Sequence, residues 1–230
     1  MTASAPESPW YSQAAATIPM HLYLKGIGTT TFISLFFVAY FYVLKHAAYT
    51  PTVMPVIWLD RLIGFQPLAL PIYLSLWLYV SLLPAFFSAR AELYGYGLSM
   101  TVMCLAGLCI FYFWPTAVPT PDIDWNRYPD MDFLKSIDAA GNACPSLHVA
   151  TAIFSGVWLH HLMRRFGAPP WVLIVNWSWC IAIVYSTVAV RQHVAVDALA
   201  GLVLGAVAAW LSLRYRGNRQ SSLKLSRPGL

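Results

Sequence analysis

Residues 193–214 read HVAVDALAGLVLGAVAAWLSLR, a long apolar run with a histidine and an aspartate at its start. A helix needs about 20 mostly apolar residues to cross a bilayer. Stretches of this kind recur along the chain, and together they predict an all-α integral membrane bundle of six transmembrane helices. The predicted spans are residues 28–47, 68–88, 97–118, 148–165, 170–190 and 193–214.

The composition agrees with a membrane protein. The 230 residues are 59% hydrophobic and 10% charged, with a mean hydropathy of +0.60. A soluble domain carries roughly 25% charged residues, so these few charges cannot cover a water-facing surface of this size. A nucleic-acid partner is not expected despite the net charge of +5. We predict one membrane domain over residues 1–230, divided into an N-terminal segment (1–27), a core (28–214) and a basic tail (215–230).

The distribution of lysine and arginine predicts the orientation. Six spans place both termini on one side, and cytoplasmic loops are the ones enriched in basic residues. The side of the termini holds Lys25, Arg90, Arg164, Arg165, Arg214, Arg216, Arg219, Lys224 and Arg227, and the other side holds Lys45, Arg61, Arg127, Lys135 and Arg191. We therefore expect cytoplasmic termini, an extracytoplasmic loop over residues 119–147, and residence in a bacterial inner membrane.

Ionisable residues within membrane spans are costly, and the start of the last predicted span holds a pair of them. His193 and Asp197 are four residues apart, which places them on one face of a helix. The carboxylate can fix the imidazole tautomer and leave the other ring nitrogen free as a nucleophile. Arg191 precedes them, and its guanidinium suits phosphate oxygens. The alternative is a purely structural His–Asp pair with Arg191 as an interfacial anchor.

A second polar motif, CPSLH, opens the predicted span at residue 148. Pro145 and Ser146 are helix-opening residues, and a capped helix N-terminus is a ready anion site. His148 would stand beside an anion held there. The alternative is an ordinary capped helix with an interfacial histidine. The predicted topology, however, brings both motifs to the same extracytoplasmic face.

These two motifs resemble those of the type 2 phosphatidic acid phosphatase superfamily. That family carries P-S-G-H followed by S-R-x5-H-x3-D, with about 45 residues between the histidines. The present chain has Pro145-Ser146-Leu147-His148 and then Ser186-Thr187-x5-His193-x3-Asp197. Leucine in place of glycine, and threonine in place of arginine, are similar to the branch that contains inositol phosphorylceramide synthase.

The resemblance implies a role for each matching position. His193 would attack phosphorus and become a phosphohistidine, Asp197 would orient it, and His148 would protonate the departing alcohol. Ser146 and the Leu147 amide would cradle the phosphate. Arg191 would supply the positive charge that the family places after the serine. The resemblance also implies chemistry that needs no metal and no cofactor.

The chain departs from the family in its first motif, K-x6-R-P. The corresponding segment, WPTAVPTP over residues 114–121, has no lysine or arginine. Phosphoryl transfer depends on charge placed at the phosphate oxygens. Arg127, Lys135 and Arg61 are the candidates to replace the missing charge, and Arg127 is preferred.

The expected function is hydrolysis of a lipid phosphate at the extracytoplasmic surface. If a second alcohol replaces water, the same residues give a lipid headgroup phosphotransferase. A non-catalytic lipid-binding protein or transporter is the remote alternative. Gly201 and Gly205 form a G-x-x-x-G pattern that permits close helix approach, either within the chain or between two copies.

Overall fold

The computed structural model describes residues 8–129, 131 and 141–225, with side chains described as far as residue 215. Its helices are α1 (Trp10–Thr17), α2 (Leu22–Lys45), α3 (Trp58–Ile63), α4 (Leu70–Leu82), α5 (Arg90–Phe113), α6 (Leu147–Arg165), α7 (Pro170–Ala189) and α8 (Ala195–Leu225). Single 3-10 turns at Pro67–Ala69 and Leu83–Phe86 extend α4 at both ends. Two short strands, β1 (Thr52–Val53) and β2 (Thr116–Ala117), pair in parallel.

The all-α membrane bundle predicted from the sequence is confirmed. Within the described part of the chain, five helices are long and apolar enough to cross a membrane: Leu22–Lys45, Pro67–Phe86, Arg90–Phe113, Pro170–Ala189 and Ala195–Tyr215. The remaining predicted span corresponds to α6, which is not among these five. Helix α6 carries three histidines and two arginines, and it packs against α4, α5, α7 and α8. A helix surrounded by protein does not need the apolar surface that lipid demands.

Helix α2 begins at Leu22, six residues before the predicted span. Its early start places Lys25 inside the helix, where the side chain is 5% exposed. The Lys25 Nζ donates to the Thr17 carbonyl at 2.6 Å and to the Ala85 carbonyl at 2.8 Å. These carbonyls lie at the C-terminal end of α1 and in the turn after α4, and the negative end of a helix dipole favours a cation. The lysine therefore ties three elements together.

At the end of the bundle away from Lys25, the connections that follow α2 and α5 hold the residues that precede α6 in place. The connection between α2 and α4 contains the short helix α3, within the segment WLDRLIGF. The parallel strand pair was not predicted. Strand β2 anchors the chain before α6, because the Cys144 N–H donates to Thr116 Oγ1 at 2.7 Å and the Ala143 N–H donates to the Thr116 carbonyl at 3.2 Å.

The G-x-x-x-G pattern makes a contact within the chain. A Cβ atom added at Gly201 would collide with the Ser146 carbonyl oxygen, and one added at Gly205 would collide with the Ala150 carbonyl oxygen. Helices α6 and α8 therefore touch through their backbones. This contact sets the spacing between the two polar motifs.

Gly201→Ala is expected to destabilise the bundle by about 1–3 kcal/mol, because backbone atoms of α6 cannot move aside for the new methyl group. Thermal unfolding in detergent measures the effect. Gly26→Ala is the matched control, since a Cβ added at Gly26 meets no atom within 4 Å. Equal effects of the two substitutions would contradict the proposed importance of the α6–α8 contact.

Candidate active site

Two histidines from different elements lie side by side at one end of the bundle. His148 belongs to the first turn of α6, and His193 lies in the turn between α7 and α8. His148 Nδ1 is 3.2 Å from His193 Nε2. His193 is 5% exposed, whereas His148 is half-buried. The structure thus brings together the histidines of the two sequence motifs.

Asp197 lies behind His193 and is fully buried. Its Oδ2 atom accepts the Val194 N–H at 3.1 Å and stands 3.7 Å from His193 Nδ1. The second distance exceeds a hydrogen bond, but contacts of this kind often tighten only when substrate binds. One carboxylate therefore caps the start of α8 and faces the imidazole. The other ring nitrogen of His193 points toward His148.

Ser146 joins the two motifs through its backbone and side chain. It is the N-cap residue of α6, and its Oγ atom accepts the Val149 N–H at 3.2 Å. Its own N–H donates to the Asp197 carbonyl at 3.0 Å. This bond fixes the N-terminus of α6 beside the first turn of α8. Both helices then direct their positive dipole ends toward the site, which favours an anion such as phosphate.

Leu147, which stands where the family has glycine, turns its side chain into the core. It is 5% exposed and packs against Gly107 of α5. A Cβ added at Gly107 would lie 2.5 Å from Leu147 Cδ2. The missing side chain at residue 107 therefore makes room for the leucine. Only the backbone of Leu147 is left to take part in phosphate binding.

Arg191 lies in the same turn as His193, two residues earlier. Its φ angle is +60°, a left-handed conformation that non-glycine residues adopt at a cost of about 1–2 kcal/mol. The turn is closed by the Gln192 and His193 N–H groups, which both donate to the Thr187 carbonyl at 3.1 Å. Arg191 is half-buried. A strained residue next to the histidine pair is typical of a functional position.

The other described candidates for phosphate charge have exposed side chains. The Arg127 side chain is 79% exposed and its Nε atom is 3.4 Å from Asp124 Oδ2, so a carboxylate on the surface is its partner. Arg61 is exposed on α3. Lys135 lies outside the described residues. Of the predicted basic residues that the structure describes, Arg191 is the one in the turn that carries His193.

Two residues that contact the site were not predicted from the sequence. Tyr73, in the first turn of α4, has its Oη atom 2.9 Å from His148 Nε2. Asp60, in α3, is fully buried and accepts the Ala195 N–H at 2.7 Å and the Ile57 N–H at 2.8 Å. An aspartate in the apolar stretch WLDRLIGF was a usable signal. Tyr73 was one of thirteen tyrosines and carried no distinguishing signal.

Cys144 lies beside the Ser146 turn and is 8% exposed. Burial and the nearby Asp197 carboxylate raise the pKa of its thiol to about 11. The thiol is therefore protonated at neutral pH, and a protonated thiol is a poor nucleophile. Among the described residues, no group of three histidine, cysteine or acidic side chains is arranged to hold a metal ion.

Comparison with known proteins adds one finding to this geometry. The family model described as the PAP2 superfamily matches residues 92–221, which is more than half of the chain and includes His148, His193 and Asp197. No curated protein and no solved structure matches the chain significantly. The matched region covers both polar motifs and the helices that carry them. The chain therefore belongs to the PAP2 superfamily, whose members are phosphatases or phosphotransferases acting on phosphate esters.

Proposed function

We propose that this protein is a lipid phosphate phosphatase that hydrolyses a phosphomonoester or pyrophosphate of a lipid through a phosphohistidine on His193. The observation that carries the proposal is the 3.2 Å approach of His148 Nδ1 to His193 Nε2, with the buried Asp197 carboxylate on the far side of His193. A nucleophile, its orienting group and a proton donor therefore adjoin one another. This is the set of groups that covalent phosphoryl transfer requires.

The proposed reaction has two steps. In the first, the His193 Nε2 lone pair attacks phosphorus, the bond between phosphorus and the lipid oxygen breaks, and His148 Nδ1 gives its proton to that oxygen. In the second, water attacks the phosphohistidine and gives a proton to His148, and phosphate leaves. The dipoles of α6 and α8 and the Arg191 guanidinium stabilise the charge on the phosphate oxygens. No step needs a group from outside the chain and its substrates.

A lipid substrate is favoured by the position of the site at the helix ends of a membrane bundle. The α6 and α8 N-termini, the α7 C-terminus and the α4 N-terminus all meet there. A lipid tail can remain in the bilayer while its phosphate reaches the histidines. The opposite end of α6 carries Arg164 and Arg165, which the positive-inside rule assigns to the cytoplasm. We therefore propose that the site faces the extracytoplasmic side.

Lipid headgroup transfer is the second candidate function. It is favoured by the absence of the basic residues of the first family motif. Residues 114–121 lack the basic side chains that typical phosphatases of the family carry in this motif. Leucine at position 147, where those phosphatases have glycine, is similar to the branch that contains inositol phosphorylceramide synthase. In that reaction an alcohol takes the place of water in the second step. The histidine chemistry is otherwise the same.

The test is phosphate release by the purified full-length protein from a panel of lipid phosphates, with a chelator present. The panel contains diacylglycerol, polyprenyl and sphingoid phosphates, because the apolar helices do not favour one tail. Release that persists in the chelator supports the phosphatase. If phosphate release is absent but product forms when an alcohol acceptor is added, the transferase is correct. Lipid binding without either product would overturn both and favour the non-catalytic alternative.

A further inference from the structure

Tyr73 is the second hydrogen-bonding partner of the His148 ring, at the ring nitrogen that does not face His193. Its Oη atom is 2.9 Å from His148 Nε2, and the two ring centres are 5.1 Å apart. The side chain is 2% exposed and belongs to a cluster with Ala189 and Val190, at the end of α7. Tyr73 is therefore held in place by packing, and its hydroxyl group is directed at one ring nitrogen.

The contacts define a consistent arrangement of protons in the resting site. For His193 Nε2 to be nucleophilic it must carry a lone pair, so His148 Nδ1 must bear the proton in the 3.2 Å contact between them. A neutral His148 then has its lone pair on Nε2. The Tyr73 hydroxyl must donate to that lone pair. The direction of each hydrogen bond follows from the one before it.

The same hydroxyl suits the other protonation states of His148. A doubly protonated imidazolium has an N–H at Nε2, and a tyrosine oxygen can accept it because a hydroxyl is both donor and acceptor. For the first step His148 takes a second proton at Nε2 from the solvent and reacts as the imidazolium; after the Nδ1 proton moves to the lipid oxygen, Nε2 keeps that second proton and the Tyr73 oxygen remains its acceptor. The vacant Nδ1 then faces the site and can take a proton from water.

We propose that Tyr73 is the positioning residue of His148, which keeps proton transfer on Nδ1 in both steps. This proposal rests on the proposed function and extends it. Tyr73 stands to His148 as Asp197 stands to His193, so each histidine has its own orienting partner. The rate of the first step should depend most on this arrangement, because a lipid alkoxide is a poor leaving group unless it is protonated.

Tyr73→Phe removes the hydroxyl group and keeps the buried ring. General acid catalysis contributes about 10²–10⁴-fold to a rate, and we expect this variant to lose about 10–100-fold in kcat with dodecyl phosphate, whose leaving alkoxide needs a proton. With 4-nitrophenyl phosphate, whose phenolate leaves without one, the rate of the first step, measured as the pre-steady-state burst of phenolate, should stay within about twofold. Tyr79→Phe is the matched control. Tyr79 lies on the same helix, and its buried hydroxyl group donates to Asn176 Oδ1 at 2.6 Å and not to a histidine.

A second measurement does not depend on activity. In full-length protein labelled with ¹⁵N-histidine, the His148 Nε2 resonance should shift in Tyr73→Phe toward that of a nitrogen without a hydrogen bond, and should not shift in Tyr79→Phe. Assignment uses His148→Gln. The shift together with the selective loss on dodecyl phosphate supports the proposal. Equal loss on both substrates, or an unchanged resonance, overturns it. A wild type that hydrolyses neither phosphate overturns the proposed function instead, and the resonance then decides the Tyr73 contact by itself.

Discussion

His193→Ala is expected to lower turnover by about 10⁴-fold or more, to the level of the uncatalysed background. The substitution removes the atom that would bond to phosphorus. The neighbouring nucleophile candidate, the Cys144 thiol, cannot replace it, because its raised pKa of about 11 keeps it protonated. Phosphate release and trapping of a phosphoenzyme with ³²P-labelled substrate are the measurements. The trapped bond should survive alkali and be lost in acid, as a phosphorus–nitrogen bond is.

His46→Ala is the matched control for His193. His46 is an exposed histidine at the end of α2 and stacks on Tyr42, with ring centres 4.4 Å apart. It lies outside the histidine pair, so this variant should keep turnover within about twofold of the wild type. A His193→Ala protein that still forms a labelled phosphoenzyme would show that another residue is the nucleophile.

Asp197→Asn is expected to lower kcat by about 10³-fold with little change in thermal stability. The carboxamide oxygen can keep the hydrogen bond from the Val194 N–H, so the shape of the site and the start of α8 are retained. The change removes a negative charge that lies 3.7 Å from His193 Nδ1. At this distance, with an effective dielectric constant of about 20, a charge pair interacts by about 4 kcal/mol. That energy stabilises the positive imidazole ring of the phosphohistidine, and its loss slows the first step.

Comparison with Asp197→Ala distinguishes the effect of the negative charge on His193 from the effect of the hydrogen bond that caps the start of α8. This variant loses both the negative charge and the hydrogen bond from Val194, so it should unfold more easily by about 0.5–2 kcal/mol as well as turn over slowly. The comparison uses kcat and the unfolding midpoint of both variants in the same detergent. If Asp197→Asn kept kcat within tenfold of the wild type, orientation by charge would be excluded as the function of Asp197.

The features predicted best from the sequence are those that depend on short spacings and on composition. Apolar runs predicted the bundle. The prediction that His193 and Asp197 share one helix face was wrong in its detail, because α8 begins at Ala195 and His193 lies in the turn before it, although the two side chains still stand 3.7 Å apart. The proximity of His148 to His193 was predicted because both motifs open helices on one side of the membrane. The burial of α6 was not predicted, since an apolar run does not reveal whether lipid or protein surrounds it.

The contacts made by Tyr73 and Asp60 could not be predicted in the same way. Tyr73 meets a partner 75 residues away, and Asp60 meets one 135 residues away. Such contacts depend on how helices pack, and a helix that is apolar on all sides has no periodic pattern to indicate its packing. Arg127 was preferred among the basic residues of the predicted extracytoplasmic loops. The structure instead gives that guanidinium a surface carboxylate as its partner.

Asp60 bears on how the protein is assembled during synthesis. The region 92–221 matched by the family model holds both histidine motifs, yet the buried carboxylate that accepts the Ala195 N–H comes from α3, and the tyrosine that contacts His148 comes from α4. Both elements leave the ribosome well before the last three helices. The segment that ends with α4 is therefore made before its partners in the site. Its contacts with His148 and Ala195 form only when α6 and α8 have been made. A protein divided in the connection after α4, between residues 86 and 90, should regain activity when its two parts are made together.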